Sequence, residues 1–185
     1  MKLAYIVFDG ITLLDLVGIY DPLSRLKSLD YLPDLNWDIC SRTPIVSDKF
    51  GFQIKPGKVN ESLADYDAII VPGGWGTRSL QTDHHFISWL QTASGVQYKI
   101  SICSGSLLLG AAGFLAGKSA TSHFQEYETL RPYCGEVLKD RIVEDGNVIT
   151  AGAVAASIDL GLYLCNKWAG KEAEDVIRQK MNYNG

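Results

Sequence analysis

The sequence predicts one doubly wound α/β domain over residues 1–185, with a mainly parallel sheet flanked by helices. Three observations predict it. Apolar β-type runs alternate with helical stretches, a buried strand passes directly into a helix at Cys103, and no repeat, low-complexity tract or linker-like segment interrupts the pattern. Such alternation typically gives parallel strands whose connecting helices cover both faces of the sheet.

The first part of the chain contains two strands, one helix and one hairpin. Residues 3–8 are apolar on both faces, as expected for a buried parallel strand. Residues 13–26 carry apolar side chains at helical spacing, and Pro22 among them predicts a kink or a late start. Residues 35–41 form the second predicted strand, and the alternation within residues 45–56 predicts a β-hairpin.

The middle of the chain continues the alternation of strands and helices. Residues 67–76 are predicted as a strand that runs into a glycine-rich turn, and residues 84–94 as a helix. The short β run at residues 98–102 is followed at once by a helix, predicted at residues 103–117, that ends in small residues and glycine.

The last part of the chain is predicted as a mixed tail. Residues 120–134 indicate a short strand or turn followed by a helix. Residues 140–152 contain Asp145-Gly146 between two β runs, a strong hairpin signal. A further helix ends near Gly170, and residues 171–183 form a final helix.

Composition excludes several classes of protein. The formal net charge of −4 gives no electrostatic reason to expect a nucleic-acid partner. The cysteines are widely separated, without a CxxC pair or a histidine cluster, so we expect no zinc site. No apolar run approaches the roughly 20 residues that cross a bilayer, and the amino terminus resembles a signal peptide only faintly. We therefore expect a cytoplasmic protein that acts on a small molecule, without a metal, membrane or nucleic-acid partner.

Cys103 is the leading candidate for chemistry, because it stands where the strand at residues 98–102 turns into a helix. Unpaired backbone N–H groups and the helix dipole favour negative charge at such a position. The position therefore predicts a lowered thiol pKa and a reactive thiolate. The tight turn matches a nucleophile elbow, and Gly105 would let the helix backbone approach closely. The alternative is an inert core thiol, since free cysteines are often buried.

Two other strand ends offer suitable groups, and ligands of open parallel sheets bind beyond the carboxyl ends of strands. Asp15 follows the first strand, although an Asp before an apolar helical run is also a preferred N-cap. Asp9 and Asp21 are competing carboxylates, of which Asp9 is more typical of a turn. The turn at Gly73 and Gly74 allows unusual backbone conformations and could present main-chain N–H groups to a ligand. A simple tight turn is the alternative.

Four further side chains are secondary candidates. Ser104 could supply a hydroxyl or an N–H group, although serine is also ordinary at the start of a helix. His123 could approach the thiol, but a lone histidine is more often structural. Trp75 could wall a pocket, and Arg78 could bind an acidic substrate, although a solvated arginine is the more common case. His84 and His85 are expected to face solvent.

These motifs together resemble the ThiJ/PfpI superfamily, which has a flavodoxin-like, class I glutamine-amidotransferase-like fold. The resemblance spans nearly the whole chain, and the cysteine block is its most specific motif. The segments that carry it are residues 6–23, 67–76, 100–123 and 149–164. Superfamily members are commonly dimers, so the resemblance implies a homodimer.

Within the superfamily the chain is most similar to the isocyanide hydratase group. This implies hydration of an isocyanide to an N-substituted formamide, with Cys103 as nucleophile, Asp15 as general acid and no cofactor. The sequence departs from that group in three places: Ser104 replaces a threonine, Gly18-Ile19 replaces Gly-Pro, and Ser122-His123-Phe124 replaces Thr-His-Trp. Ser104 also stands where peptidase-like members have histidine, which makes a protease a minor possibility.

Two alternatives stay open at this point. Glyoxalase- or deglycase-like chemistry on small oxoaldehydes, which the superfamily also implies, would use Cys103, with a larger role for His123. A non-enzymatic redox or stress-response protein would use the same low-pKa thiol as an oxidation site.

Overall fold

The computed structural model describes all residues from 1 to 185. The strands are β1 (Lys2–Ile6), β2 (Asn36–Ser41), β3 (Val46–Ser47), β4 (Gln53–Ile54), β5 (Lys58–Val59), β6 (Ala68–Val71), β7 (Tyr98–Ile102), β8 (Ser119–Ala120), β9 (Glu136–Val137), β10 (Ile142–Asp145) and β11 (Val148–Ala151). The α-helices are α1 (Leu13–Ser28), α2 (Thr77–Leu80), α3 (His84–Gln91), α4 (Gly105–Ala111), α5 (Tyr127–Leu130), α6 (Ala156–Ala169) and α7 (Lys171–Lys180). Single 3-10 turns flank α5.

Seven strands form the main sheet in the order β10–β11–β7–β6–β1–β2–β5. All neighbours pair in parallel except β10 and β11, which form the predicted antiparallel hairpin. The predicted α/β fold with a mainly parallel sheet is therefore confirmed. The carboxyl ends of β1, β6 and β7 are neighbours at one edge of the sheet, which brings the three predicted strand-end segments together.

The core fills the space between the sheet and the helices on its faces. β1 and β6 are almost wholly buried, which explains why their sequences are apolar on both faces. α1 and α6 pack closely because Gly18 and Gly161 lie at their crossing, where a Cβ on Gly161 would meet Pro22 Cγ at 2.5 Å. This packing fixes the first turn of α1, which carries Asp15. No helix is long and apolar enough to span a membrane.

Several local expectations need correction. α1 begins at Leu13 and continues through Pro22, so the predicted late start is wrong; the proline ring lies buried against Gly161. The helix after Cys103 spans only Gly105–Ala111, because Gly113 takes a positive φ of 85° soon after its end. Three short elements, α2, β5 and β9, escaped prediction, since their few residues give no periodic signal.

Other elements agree with the sequence pattern. β3 and β4 form the predicted hairpin within residues 45–56, and α6 ends at Gly170. Only short helical turns occupy the region predicted as a helix from Ser122 or His123.

Candidate active site

Cys103 occupies a sharp turn between β7 and α4. Its φ of 55° lies in the left-handed region, which is uncommon for a residue other than glycine. The surrounding chain holds this conformation in place. The Cys103 N–H donates to the carbonyls of Ala151 and Gly152, both at 3.0 Å, and its carbonyl accepts from the hydroxyls of Ser106 and Ser122. This geometry matches the predicted nucleophile elbow.

Two glycines allow the elbow to pack against the end of β6. A Cβ on Gly73 would lie 2.8 Å from Cys103 Cβ and 2.7 Å from Ser104 N. A Cβ on Gly105 would lie 2.1 Å from the carbonyl oxygen of Val71, so α4 can begin here only without a side chain at this position. The close approach predicted for Gly105 is present.

Asp15 lies in the first turn of α1 and is fully buried. The residue at the N-cap position is Thr12, so the capping alternative for Asp15 is not what the fold uses. One carboxyl oxygen, Oδ2, accepts the Gly73 N–H at 2.9 Å. The other, Oδ1, has no hydrogen-bond partner of normal geometry. Gly73 also packs against Cys103, since a Cβ on Gly73 would lie 2.8 Å from Cys103 Cβ, so the carboxyl and the thiol flank the same residue.

The competing carboxylates lie outside this arrangement. Asp9 accepts the N–H of Ser47 at 2.8 Å, as expected of a turn residue. Asp21 is paired with Arg25 on the surface of α1.

Burial raises the pKa of both members of the buried pair. It raises the Asp15 pKa from 3.8 to about 7, against smaller lowering effects of the Gly73 N–H and the Cys103 thiol. It also raises the Cys103 pKa from 9.0 to about 12, and the charge of Asp15 adds to this rise. The lowered thiol pKa that the helix terminus predicts is therefore wrong: loss of solvent outweighs the local dipole.

Several groups stabilise negative charge on the sulfur, although they do not offset burial. The backbone N–H groups of Ser104 and Val154 and the hydroxyl of Ser104 lie near the Cys103 sulfur and lower its pKa. Val154 follows β11 and was not predicted, because its contribution is a backbone amide that any residue could supply. These donors would hold a thiolate in place once it forms.

The Ser104 hydroxyl belongs to a small buried network. It accepts the Gly74 N–H at 3.1 Å and can donate to the Gly74 carbonyl oxygen at 3.3 Å. The Thr77 hydroxyl lies 3.0 Å from it and 2.8 Å from the same carbonyl oxygen. Thr77 was not predicted, because only its position after a glycine turn distinguishes it in the sequence.

The expectation that Gly73 and Gly74 present N–H groups to a ligand needs correction. The Gly73 N–H donates to Asp15 and the Gly74 N–H donates to Ser104, so both are used within the protein. These glycines support the site by orienting its side chains. Gly74 has a φ of 140°, and a Cβ there would meet the Gly10 carbonyl oxygen at 2.3 Å.

The sulfur borders a small cavity of about 150 Å³. Such a volume is about half that of the smallest drug-sized pockets, which indicates a small ligand. Its lining residues are Thr12, Gly74, Trp75, Arg78, Cys103, Ser104, His123, Gln125 and Val154. His123 therefore shares the cavity with the thiol. Its Nδ1 accepts the Gln125 N–H at 3.2 Å, which leaves Nε2 as the protonated nitrogen of the neutral ring.

Trp75 and Arg78 lie at the mouth of this cavity. The Trp75 ring is 59% exposed and has the Arg78 guanidinium over it, at 4.7 Å from Cζ to the ring centroid. Arg78 also pairs with the nearly buried carboxyl of Glu126. Glu126 was not singled out from the sequence, because nothing near it marks a site.

A larger cleft of about 380 Å³ lies at the neighbouring strand ends and is lined partly by Arg42, Thr43 and Asp83. It contains no cysteine, and its Asp83 caps α3 by accepting the N–H groups of His85 and Phe86. His84 and His85 are exposed, as expected. We therefore place the candidate active site at Cys103.

A mainly parallel α/β sheet, a cysteine at a strand-to-helix turn and a buried carboxyl beside it together define a class of α/β proteins. The comparison with known families specifies the class further. A family model described as the DJ-1/PfpI family matches residues 1–167, and the chain belongs to this family.

Individual relatives agree with this assignment. Isonitrile hydratase of Pseudomonas putida is 36% identical over 185 residues, which cover 99% of this chain and 78% of that protein. The crystal structure of a ThiJ/PfpI family protein from Pseudomonas syringae is 28% identical, with a TM-score of 0.89, and the match covers 100% of this chain and 75% of that one. The crystal structure of Drosophila melanogaster DJ-1beta has a TM-score of 0.84 at 21% identity, covering 100% and 98% of the two chains, and shares the fold.

Proposed function

We propose that this protein is an enzyme that hydrates a small organic isocyanide to an N-substituted formamide. The similarity to isonitrile hydratase supports the reaction class. The observation that carries the proposal is the buried pair of Asp15 and Cys103, which meet at Gly73: the Gly73 N–H donates to the Asp15 carboxyl, and a Cβ on Gly73 would lie 2.8 Å from Cys103 Cβ. Burial raises the pKa of this carboxyl to about 7. A carboxyl with this pKa can both accept and donate a proton near neutral pH.

The pair would react in the state that holds one proton. Asp15 takes the thiol proton, and the sulfur attacks the terminal carbon of the isocyanide, forming a C–S bond. Asp15 then delivers the proton to that carbon, which gives a thioimidate on Cys103. Sharing one proton in this way avoids the need for a free thiolate in a site that disfavours one.

Hydrolysis of the thioimidate would complete the cycle. Water adds to the thioimidate carbon while Asp15 accepts one of its protons and passes that proton to the substrate nitrogen. The C–S bond then breaks as the proton of the newly formed hydroxyl moves through Asp15 to the sulfur, and the formamide is released. The N–H groups of Ser104 and Val154 stabilise the departing sulfur as negative charge returns to it.

Formation of formamide from a simple alkyl isocyanide tests the proposal. We expect the wild-type protein to form the formamide well above the uncatalysed rate and Cys103→Ala to form it only at background. Cys134→Ala is the matched control, since Cys134 is a free thiol outside the cavity. Equal background rates for wild type and Cys103→Ala would contradict the proposal, as would loss of activity in both cysteine variants.

A second candidate is glyoxalase-like chemistry on a small oxoaldehyde, which the position of His123 favours. Its imidazole lies in the same cavity as the thiol, and its Nε2–H can donate to a substrate oxygen while Asp15 moves a proton between adjacent carbons. Methylglyoxal consumption by wild type, Cys103→Ala and His123→Ala separates the two candidates. Consumption that does not exceed the Cys103→Ala rate would eliminate this one.

The redox alternative receives less support. Selective oxidation follows thiolate character and exposure, whereas Cys103 is buried and has a raised pKa of about 12. Peroxide treatment followed by mass spectrometry should therefore not single out Cys103 over the more exposed Cys134.

We further propose that the protein is a homodimer that acts in the reducing cytoplasm. The four free cysteines support the compartment. An apolar groove of about 250 Å³ supports the dimer; it is lined by Leu13, Leu16, Val17, Tyr20, Trp37, Ile39, Phe52 and Ile54. Light scattering should give about twice the 20.3 kDa chain mass.

Substitution at the groove tests the dimer directly. Phe52→Asp should lower the mass to that of one chain, because the charge would have to be buried at the contact. Phe124→Asp is the matched control, since Phe124 is similarly exposed, at 63% against 62%, but lies outside the groove. A monomeric wild type would contradict the proposal.

A further inference from the structure

Arg78 is the one permanently charged side chain that lines the cavity beside Cys103. We propose that Arg78 binds an anionic group on the substrate, so that the enzyme prefers small substrates carrying a carboxylate. The identity of the reaction rests on the function proposed above, whereas the anion site itself does not.

The guanidinium is held in place from two sides. It pairs with the carboxyl of Glu126, whose side chain is only 9% exposed, while the Arg78 side chain is 42% exposed. The Trp75 ring covers one face of it, at 4.7 Å from Cζ to the centroid. A buried carboxylate behind an arginine and an aromatic ring against its face fix the direction of the remaining donors at little entropic cost.

Most of the guanidinium's hydrogen-bonding capacity is unused. Arg78 donates through Nη2 to Glu126, and its side chain makes no other hydrogen bond within the protein. Five N–H donors are available on an arginine, so several can meet a bidentate acceptor. A carboxylate has the matching fork geometry.

The charges around the cavity also favour an anion. None of its lining residues is an aspartate or glutamate. Glu126 offsets part of the Arg78 charge, but a second cation lies at the mouth, where Lys49 Nζ is 4.0 Å from the centroid of the Trp75 ring. Two cations therefore flank one exposed aromatic ring at the entrance, on a chain whose formal net charge is −4.

The size of the cavity brings both groups to the same ligand. A volume of about 150 Å³ holds a ligand of only a few heavy atoms, so a substrate bonded to Cys103 has its substituent beside the Arg78 wall. A substituent that carries a carboxylate would pair with Arg78. An alkyl substituent would offer the guanidinium no acceptor, so that only water outside the cavity could bind its free N–H groups.

Alkylation of Cys103 tests the anion site without any assumption about the reaction. Iodoacetate and iodoacetamide both form a C–S bond with release of iodide and of the thiol proton, but only iodoacetate is an anion. The readout is the ratio of the two alkylation rates at Cys103, measured by peptide mass spectrometry. Cys134, outside the cavity, gives the intrinsic preference in the same molecule.

We expect Arg78→Gln to lower the iodoacetate-to-iodoacetamide ratio at Cys103 by roughly 10-fold, because losing a hydrogen bond to a charged group weakens binding by about a factor of ten or more. Arg78→Lys should lower the ratio less, since it keeps the positive charge. Arg131→Gln is the matched control, because Arg131 pairs with Glu128 on the open surface. The double variant Arg78→Gln/Glu126→Gln removes both members of the ion pair and replaces the single variant in this test if the single variant is unstable. In the wild type, added salt should lower the ratio. A ratio that is unchanged in both Arg78→Gln variants, or that also falls in Arg131→Gln, would overturn the proposal.

A pair of isocyanides then tests the preference during turnover. Isocyanoacetate and isobutyl isocyanide have similar shapes and differ in charge. Arg78→Gln should reduce the preference for isocyanoacetate, measured as the ratio of the two kcat/KM values, by roughly 10-fold, mainly through KM. An equal fall for both substrates would overturn the substrate preference. Absence of formamide from either substrate, with the alkylation effect intact, would refute the proposed reaction and leave the anion site standing.

Discussion

Replacement of Asp15 by asparagine should change how the stability of the protein depends on pH. The buried carboxyl binds its proton more tightly in the folded protein, where its pKa is about 7, than in the unfolded chain, where it is 3.8. Its contribution to stability is therefore fully present below pH 3.8 and is lost as the pH rises through about 7. The amide that replaces the carboxyl in Asp15→Asn cannot ionise, so the variant should lack this loss.

The difference in pKa sets the size of the effect. At about 1.4 kcal/mol per pKa unit, ionisation of Asp15 costs the folded wild type about 2 kcal/mol at pH 5 and about 4 kcal/mol at pH 8. The free energy of unfolding of Asp15→Asn, relative to wild type, should thus increase by roughly 2–3 kcal/mol between these two pH values. Groups elsewhere titrate alike in both proteins and cancel from the comparison.

Urea denaturation at pH 5 and pH 8, followed by fluorescence, measures this difference. The Cys103 thiol stays protonated over the range, since its pKa is about 12, and does not contribute. Asp21→Asn is a matched control, because Asp21 lies on the same helix in a partly exposed pair with Arg25. Parallel pH dependences for wild type and Asp15→Asn, within about 0.5 kcal/mol, would refute the raised pKa of Asp15.

Three further outcomes follow from the site. The kcat/KM of the wild type should rise with pH through about 7, as Asp15 loses its proton and the Asp15–Cys103 pair reaches its one-proton state. This rise should be absent in Asp15→Asn. A profile that falls through pH 7 would contradict the proton sharing. Gly105→Ala should lower the free energy of unfolding by roughly 2–4 kcal/mol, because the new Cβ would lie 2.1 Å from the Val71 carbonyl oxygen. Gly95→Ala, at a position with open space around it, should change this free energy by less than about 1 kcal/mol. Equal effects of the two substitutions in urea denaturation would refute the packing argument. Thr77→Val should reduce kcat by about 10-fold, because it releases the Ser104 hydroxyl. Thr82→Val loses only an exposed hydrogen bond to the Ser79 carbonyl and should leave kcat unchanged. Equal kcat values for the two variants would contradict a role for the buried network around Ser104.

Much of the fold was predictable because it follows from local patterns. The apolar strands β1, β6 and β7 and the hairpin at Asp145-Gly146 are each encoded within a few residues. The connection between Asp15 and Cys103 was also predictable, since both follow parallel strands whose carboxyl ends share one edge of the sheet. What escaped prediction depends on close packing between distant segments, as in the burial of Pro22 against Gly161.

The supporting groups of the site were harder to predict for a different reason. Val154 contributes an N–H group, which carries no sequence signal. Thr77 and Glu126 act by contacting Ser104 and Arg78, residues that are 27 and 48 positions away. A single sequence indicates the residue that is chemically unusual, such as Cys103, but not the ordinary residues that orient it.

The pKa of Cys103 shows how magnitudes decide between two valid rules. A helix terminus stabilises a nearby charge by about 0.3–1 kcal/mol, which lowers a pKa by less than one unit. Removal of the sulfur from water and the charge of Asp15 outweigh all lowering effects and raise the same pKa from 9.0 to about 12. The helix rule therefore predicts the wrong sign here. Because the sulfur does not ionise alone near neutral pH, the proposed reaction requires a neighbour that takes its proton, and Asp15 is the carboxyl that lies beside it across Gly73.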